Sequence, residues 1–335
     1  MTAAEVHQGT HVPVVDLGRS SSSVDRSALA RTIDAAYVET GFLMVVGHGV
    51  DRALIDEMVE VTNTFFAQPT EEKARSAASP DDPGMRGWHS FGGYVAASMG
   101  VETQPDLCEM FGMSRLGEPG VAERSGLGDA VARLGFPNPW PAMPAAFREV
   151  WLRYYAAMES LSAYLVELFA LAHGLPEGWF ADKIDHPTTS LLGNWYYPQT
   201  VQPADGQHRK GPHTDFGMLT ILLRDAVGGL QVSDHDGVWH DVPYVEDSFV
   251  VNIGDLMSAW TNDRWVSTLH RVVNPSDGTT AVPRTSIAFF QEPNYDAVVE
   301  CLPTCTSPDD PPRHDPVLAG EWIVRKVTAS YLSTP

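Results

Sequence analysis

Basic residues are scarce in this chain: 22 Lys and Arg stand against 43 Asp and Glu, a formal net charge of −21 at pH 7. Such a field repels polyanions, which argues against nucleic acid and anionic membrane surfaces as partners. Any arginine site for a small carboxylate must therefore be local and buried. Cysteine is also rare. Cys108, Cys301 and Cys305 are the only three in 335 residues, too few for a disulfide scaffold. Cys301 and Cys305 read as small buried hydrophobes rather than as a bridge. No apolar run approaches the ~18–20 residues of a membrane span. The first residues, MTAAEVHQGTHVPVVDL, lack the basic-then-apolar texture of a secretion signal. Together these absences point to a soluble protein of the reducing cytoplasm. What is present is a hydrophobic content of 43%, enough for one large domain or two small ones. Nothing in the sequence specifies an oligomeric state.

The organisation changes along the chain. Residues 12–17 and 42–46 read as strands, and residues 27–38 and 51–67 as amphipathic helices. Gly, Pro and Ser dominate 76–106, and Gly and Pro 115–142, so both stretches read as loops, as does the short polar run Ser20–Ser23. The longest helical pattern runs from about Ala145 to His173, ended by Gly174 and Pro176. Short β-branched and aromatic runs then recur at 188–197, 218–223, 230–233, 238–242, 248–253, 269–273 and 284–291. That spacing predicts an antiparallel sandwich or barrel, of which the jelly roll is one form. A terminal helix is expected over 318–332. The regions are therefore 1–115, 116–180, 181–300 and 301–335.

His213-Thr214-Asp215 is the only His-x-Asp in the chain, and His270 follows on a later strand. In extended backbone, residues i and i+2 share a face, so His213 and Asp215 can both reach one metal. Two histidines and one carboxylate leave half of an octahedral ion open, the facial arrangement of non-heme iron. A closed structural zinc site would favour a fourth ligand, usually with cysteine. No cysteine lies near these residues. Arg284 and Ser286 are likewise two apart, so one strand face can present a guanidinium fork and a hydroxyl to a carboxylate. The same parity carries Ala288, Phe290 and Glu292, with Phe290 walling a pocket and Glu292 nearer its rim. Arg19-Ser20-Ser21 also matches Arg-x-Ser, but in loop-like sequence. His48, His89, His208 and His240 read as surface, turn or supporting residues.

Long segments of the chain resemble the isopenicillin N synthase-like group of iron(II)/2-oxoglutarate-dependent dioxygenases. They are VPVVDL, TGFLMVVGHGV and FFAQPTEEK, then GPHTDFGMLTILLRDAVGGLQV, VNIGDLMSAWTNDRWVSTLHRV and PRTSIAFFQEP. The resemblance implies a mixed α and β fold, a distorted double-stranded β-helix (jelly roll) core flanked by helices. It implies Fe(II) on His213, Asp215 and His270, with 2-oxoglutarate on Arg284 and Ser286. A family tyrosine before a proline falls in Asn194-Trp195-Tyr196-Tyr197-Pro198. Anchoring on Pro198 selects Tyr197, and anchoring on Asn194 selects Tyr196; Tyr197 is the choice carried forward. Arg86-Gly87-Trp88 resembles a segment near the substrate entrance.

The implied reaction uses O2 and 2-oxoglutarate, releases succinate and CO2, and hydroxylates, desaturates or cyclises a small-molecule substrate. Three alternatives stay open. They are a 2-oxoglutarate-independent iron oxidase or cyclase of the same fold, a zinc hydrolase on the same ligands, and an inactive binding protein. Sparse lysine beside many arginines and alanines suggests a GC-rich bacterial genome and a role in natural-product biosynthesis.

Overall fold

Residues 11–18, 23–77, 79, 81–82, 85–92, 104–124, 127–130, 134–199, 203–274 and 282–331 are described by a computed structural model of the chain. The second Arg-x-Ser, at 19–21, lies outside them.

Alternation of apolar side chains builds the architecture. In chain order the strands are β1 (Val14–Asp16), β2 (Phe42–Val46), β3 (Gly87–His89), β4 (Glu109–Ser114), β5 (Ser190–Tyr196), β6 (Lys210–His213), β7 (Leu219–Arg224), β8 (Leu230–Ser233), β9 (Trp239–Asp241), β10 (Phe249–Ile253), β11 (His270–Val272) and β12 (Arg284–Gln291). The major sheet has eight strands in the order β1-β2-β10-β7-β12-β5-β4-β3, and the minor sheet runs β6-β11-β8-β9. Strands β1 and β2 are parallel, whereas β12 runs antiparallel to both β5 and β7. These two sheets with flanking helices are the expected distorted jelly roll. Four strands of the 1–115 region enter the same sheet as those of the 181–300 region.

The helices are α1 (Ser23–Glu39), α2 (Arg52–Phe66), α3 (Thr70–Lys73), α4 (Phe147–Ala172), α5 (Asp255–Trp260) and α6 (Ala319–Tyr331). Asp51 caps α2, its carboxylate accepting from the Ala53 N–H at 2.9 Å. Helix α4 ends in a Schellman motif. Gly174 adopts a φ of +68°, Gly174 N–H donates to Leu171 and Leu175 N–H to Ala170. Among the described residues α4 is the one helix long and apolar enough, by length and composition, to cross a membrane, but Arg148, Glu149, Arg153, Glu159 and Glu167 interrupt it, so it is not an unbroken apolar run. Its apolar face, including Trp151, Met158, Leu165 and Phe169, is buried in the main core, as in the central helix of a globular domain.

The major sheet therefore has two buried faces. Outward, Phe289 meets Tyr155 of α4 ring to ring at 5.3 Å, and the Thr285 hydroxyl donates to Asn63 of α2 at 2.7 Å. Inward, smaller clusters such as Cys108, Met110, Leu192, Tyr196 and Val272 fill the space toward the minor sheet. Strand β3 falls within a stretch expected to be loop. Three residues at a sheet edge are too few to show alternation, and only pairing with β4 makes them a strand. All three cysteines are free.

One close approach links the first strands to the site. Gly41 has a φ of +69°, and a Cβ there would lie 2.1 Å from the Val266 carbonyl oxygen and 2.5 Å from Thr268 Oγ1. Thr268 in turn donates to the Thr40 carbonyl at 2.8 Å. Gly41→Ala should cost about 2 kcal/mol or more, from left-handed backbone plus a backbone clash. The urea midpoint would show it, and ferrous-ion affinity should fall with it because Thr268 leads into His270. A midpoint equal to wild type would show that this junction yields freely.

Candidate metal centre

His213 ends β6 and His270 begins β11, and the two are direct cross-strand partners. Pairing brings their rings to a centroid distance of 4.2 Å. Each ring is oriented by its own backbone: Nδ1 of His213 lies 2.8 Å from the Gly211 carbonyl, and Nδ1 of His270 lies 3.0 Å from the Thr268 carbonyl. A carbonyl can only accept, so Nδ1 carries the proton and the Nε2 lone pair faces the site. Asp215 comes from the turn after β6, not from the strand itself. Its Oδ2 accepts from the Thr220 hydroxyl at 2.5 Å and from Asn252 Nδ2 at 2.7 Å. That leaves Oδ1 at 3.9 Å from His213 Nε2 and 3.7 Å from His270 Nε2.

These three side chains are the one cluster among the described residues whose ligand atoms lie within 4.8 Å of one another. Ligands about 2.1 Å from a common ion suit such spacings after small adjustment. Burial, and then the neighbouring His270, push the His213 pKa down to about 3. Its ring is therefore neutral at pH 7 and able to ligate. Burial opposes ionisation of Asp215, but His270 and His213, then Asn252 and Thr220, hold its pKa below the ordinary carboxylate value. The donor set, two imidazoles and one carboxylate on one side, fits a ferrous ion with open positions.

Along the inner face of β12, Arg284 and Ser286 lie beside Tyr196 and Asn194 of β5. The Arg284 guanidinium stacks 4.8 Å from the Tyr196 ring centre and reaches the Ser286 hydroxyl at 3.4 Å. Tyr197 is elsewhere. One step further along the chain it faces the opposite side, is 38% exposed, and donates its hydroxyl to Glu109, which is ion-paired with Lys73. Strand alternation thus sets Tyr196, and not Tyr197, beside Arg284.

A cavity opens beside the ligands, lined by His213, Asp215, Lys210, Phe290 and Glu292, with Ile323, Val324 and Val327 of α6 across it. Phe290 lines it on the β12 side. Glu292 is half-buried in the cavity lining that α6 also forms, its Oε2 accepting from the Thr188 hydroxyl at 3.0 Å. Burial lifts its pKa to about 8, against the Thr188 hydrogen bond, which lowers it. Arg86 also lines the cavity, but its guanidinium is consumed by Asp82, at 2.5 and 2.7 Å, and by the Leu134 carbonyl at 2.8 Å. It supports the wall and has little left to offer a ligand.

Comparison with known proteins now bears on this geometry. Residues 188–293 match the profile of the 2OG-Fe(II) oxygenase superfamily, and residues 12–143 match that of the non-haem dioxygenase in morphine synthesis N-terminal region. Validamycin A dioxygenase of Streptomyces hygroscopicus subsp. limoneus is 36% identical over 322 residues, 94% of this chain and 85% of the relative. This chain belongs to the 2OG-Fe(II) oxygenase superfamily. Homoarginine-6-hydroxylase of Oryza sativa subsp. japonica is 29% identical across 96% of this chain and 98% of its own length. Full-length Neurospora crassa T7H in complex with alpha-KG superimposes with a TM-score of 0.84 at 26% identity, covering 99% of this chain and 100% of that one. The protein is accordingly an Fe(II)/2-oxoglutarate-dependent oxygenase acting on a small organic substrate.

Sequence reasoning missed two further residues of this oxygenase. Arg209 is buried, its guanidinium 6.0 Å from the Tyr196 ring centre, and its Nε and Nη2 lack hydrogen-bond partners. Burial and then Arg284 lower its pKa. Arg224, also buried, is pushed down to about 10 by burial and then by Arg284. The only signal for Arg209 was its place shortly before His213, which does not reveal burial.

The Glu292 carboxyl sets a pH dependence. A folded pKa raised from 4.5 to about 8 contributes stability that is fully present below 4.5 and is lost as pH rises through 8. Glu292→Gln should therefore raise the melting midpoint relative to wild type by about 2 °C or more beyond any shift at pH 5 when measured at pH 8.5. Equal shifts at both pH values would mean that the carboxyl is solvated.

Proposed function

We propose that His213, Asp215 and His270 hold the ferrous ion, and that Arg284, Ser286, Tyr196 and Arg209 seat the distal carboxylate of 2-oxoglutarate. The substrate then occupies the cavity beneath α6. The observation that carries this reading is the convergence of three ligand atoms within 4.8 Å beside buried Arg209 and Arg284, two positive charges that outnumber the one neighbouring carboxylate, Asp225. Bound iron, with 2-oxoglutarate and O2, supplies the oxidising power and yields succinate and CO2. The chain's own residues orient and exclude. Two backbone carbonyls hold the imidazoles in the ligating tautomer. Thr220 and Asn252 present one oxygen of Asp215. Paired guanidiniums gain by taking up a carboxylate, because each is desolvated and repelled by the other. The apolar wall of Phe290, Ile323, Val324 and Val327 keeps water from the reacting centre.

Hydroxylation, desaturation and ring closure all suit such a site. Relatives named for validamycin A and for homoarginine support a small-molecule substrate and a role in natural-product metabolism. Free cysteines and the acidic charge support a cytoplasmic protein without nucleic-acid or membrane partners.

Two experiments test the assignment. His213→Ala should abolish succinate release, read by mass spectrometry, and weaken ferrous-ion binding while leaving the melting midpoint within a few degrees. Near-normal turnover would end the metal assignment. Arg284→Lys should raise the 2-oxoglutarate dissociation constant about tenfold, since a point charge replaces a fork, and Arg209→Met should raise it about fivefold. Anaerobic titration of the iron-loaded enzyme measures both, and unchanged constants would place the carboxylate seat elsewhere.

A further inference from the structure

Glu292 is a carboxyl without a cation. Among the described residues no Arg, Lys or His pairs with it, and the Thr188 hydroxyl is its one hydrogen-bond donor, on Oε2. Its other oxygen borders a cavity walled by Phe216, Phe290, Tyr295, Ile323 and Val324. Glu292 is half-buried, and a carboxylate set among apolar walls ordinarily carries a partner, because an unpaired one is costly to desolvate. Here the chain provides the acid and withholds the base.

The position of Glu292 relative to the metal centre gives this vacancy a meaning. Arg284, Ser286, Ala288, Phe290 and Glu292 follow one another along one face of β12 and its extension, spaced by about 6.6 Å per pair of residues. Thr220, which holds Asp215, pairs directly with Phe290. Asp215 is therefore tied to this row at Phe290, between Arg284 and Glu292. Arginine stands at one end of it and the acid at the other. The acid also lies close to the metal loop: a Cβ on Gly217 would be 3.1 Å from Glu292 Cγ, so the glycine admits the side chain there. Of the remaining cationic groups on the cavity, Arg86 is neutralised by Asp82. Lys210 turns toward Asn194, 3.1 Å away, on the arginine side. The electrostatic axis runs from a seat for a dianion, past the metal, to a seat for a cation.

We infer that the substrate of this oxygenase is a small molecule with an apolar body and a basic nitrogen, whose ammonium group is held by the Glu292 carboxylate on the side of the metal opposite the co-substrate. The inference rests on the reading of this cavity as the substrate site. An arriving ammonium supplies the missing counter-ion and keeps the carboxyl ionised, while the apolar walls take up the hydrocarbon. The net charge of −21 favours cations in the surrounding solution.

The test uses matched probes on the anaerobic, iron- and 2-oxoglutarate-loaded enzyme: benzylamine with benzyl alcohol, cyclohexanemethylamine with cyclohexanemethanol, and hexylamine with hexanol. Binding is read by calorimetry. At least one amine should bind tenfold or more tighter than its alcohol. That preference should fall below threefold in Glu292→Gln and be partly retained in Glu292→Asp, with melting midpoints confirming that both variants fold. No amine preference in wild type, or a preference that survives Glu292→Gln, overturns the inference. Binding of 2-oxoglutarate itself is measured in the same cell: its absence from wild type overturns the metal and co-substrate assignment, whereas its presence with no amine preference overturns only the ammonium seat.

Discussion

The structure depends on one cross-strand pair, His213 against His270. It joins β6 to β11 in the minor sheet and brings two imidazoles to a ring distance of 4.2 Å. Two like rings are tolerated there because each donates Nδ1–H to its own backbone. Asp215 completes the set only because Thr220 and Asn252, from two strands of the opposite sheet, occupy its second oxygen. The site is thus a clasp between sheets. A shift of either sheet would separate the carboxylate from the imidazoles.

Much of the remaining fold braces that clasp from outside. Helix α4 buries its aromatic face against the outer side of the major sheet, where Trp151 packs against the backbone of Gly193 in β5. Close packing there leaves little freedom for β5 and β12, so their inner faces can carry costly groups. Arg209, Arg224 and Arg284 are all buried, and burial first, then repulsion from Arg284, lowers the pKa values of Arg209 and Arg224. Strain of this electrostatic kind is what a site for a dianionic co-substrate would relieve. At the far end of the same strand, Glu292 carries the complementary deficit. Stability is spent at both ends of the cavity on groups awaiting partners.

Several parts of this arrangement were legible in the linear chain. His213-Thr214-Asp215 and Arg284-Thr285-Ser286 are short, and their members act within one turn or one strand face, so local spacing suffices to pair them. Parity along β12 places Phe290 on the same face as Arg284 and Ser286, and Phe290 lines the cavity. Other parts were not legible. Tyr196 and Tyr197 are adjacent and chemically alike, and only the observed pairing of Tyr196 with Arg284 separates their faces. Glu292 looked like a rim residue because the helix that covers it begins at Ala319, far along the chain. Arg86 looked available until Asp82 was seen to occupy it.

The sequence by itself determined which residues could ligate a metal, which strand carried the carboxylate fork, and the mixed jelly-roll class, because alternation and short-range spacing are properties of the backbone alone. The tertiary structure decided depth and partnership: that Asp215 presents a single oxygen and that, among the described residues, Arg209 is left short of acceptors and Glu292 has no cation. Those are matters of what lies across a gap between sheets, and dielectric and hydrogen-bond satisfaction arise only when distant segments close that gap.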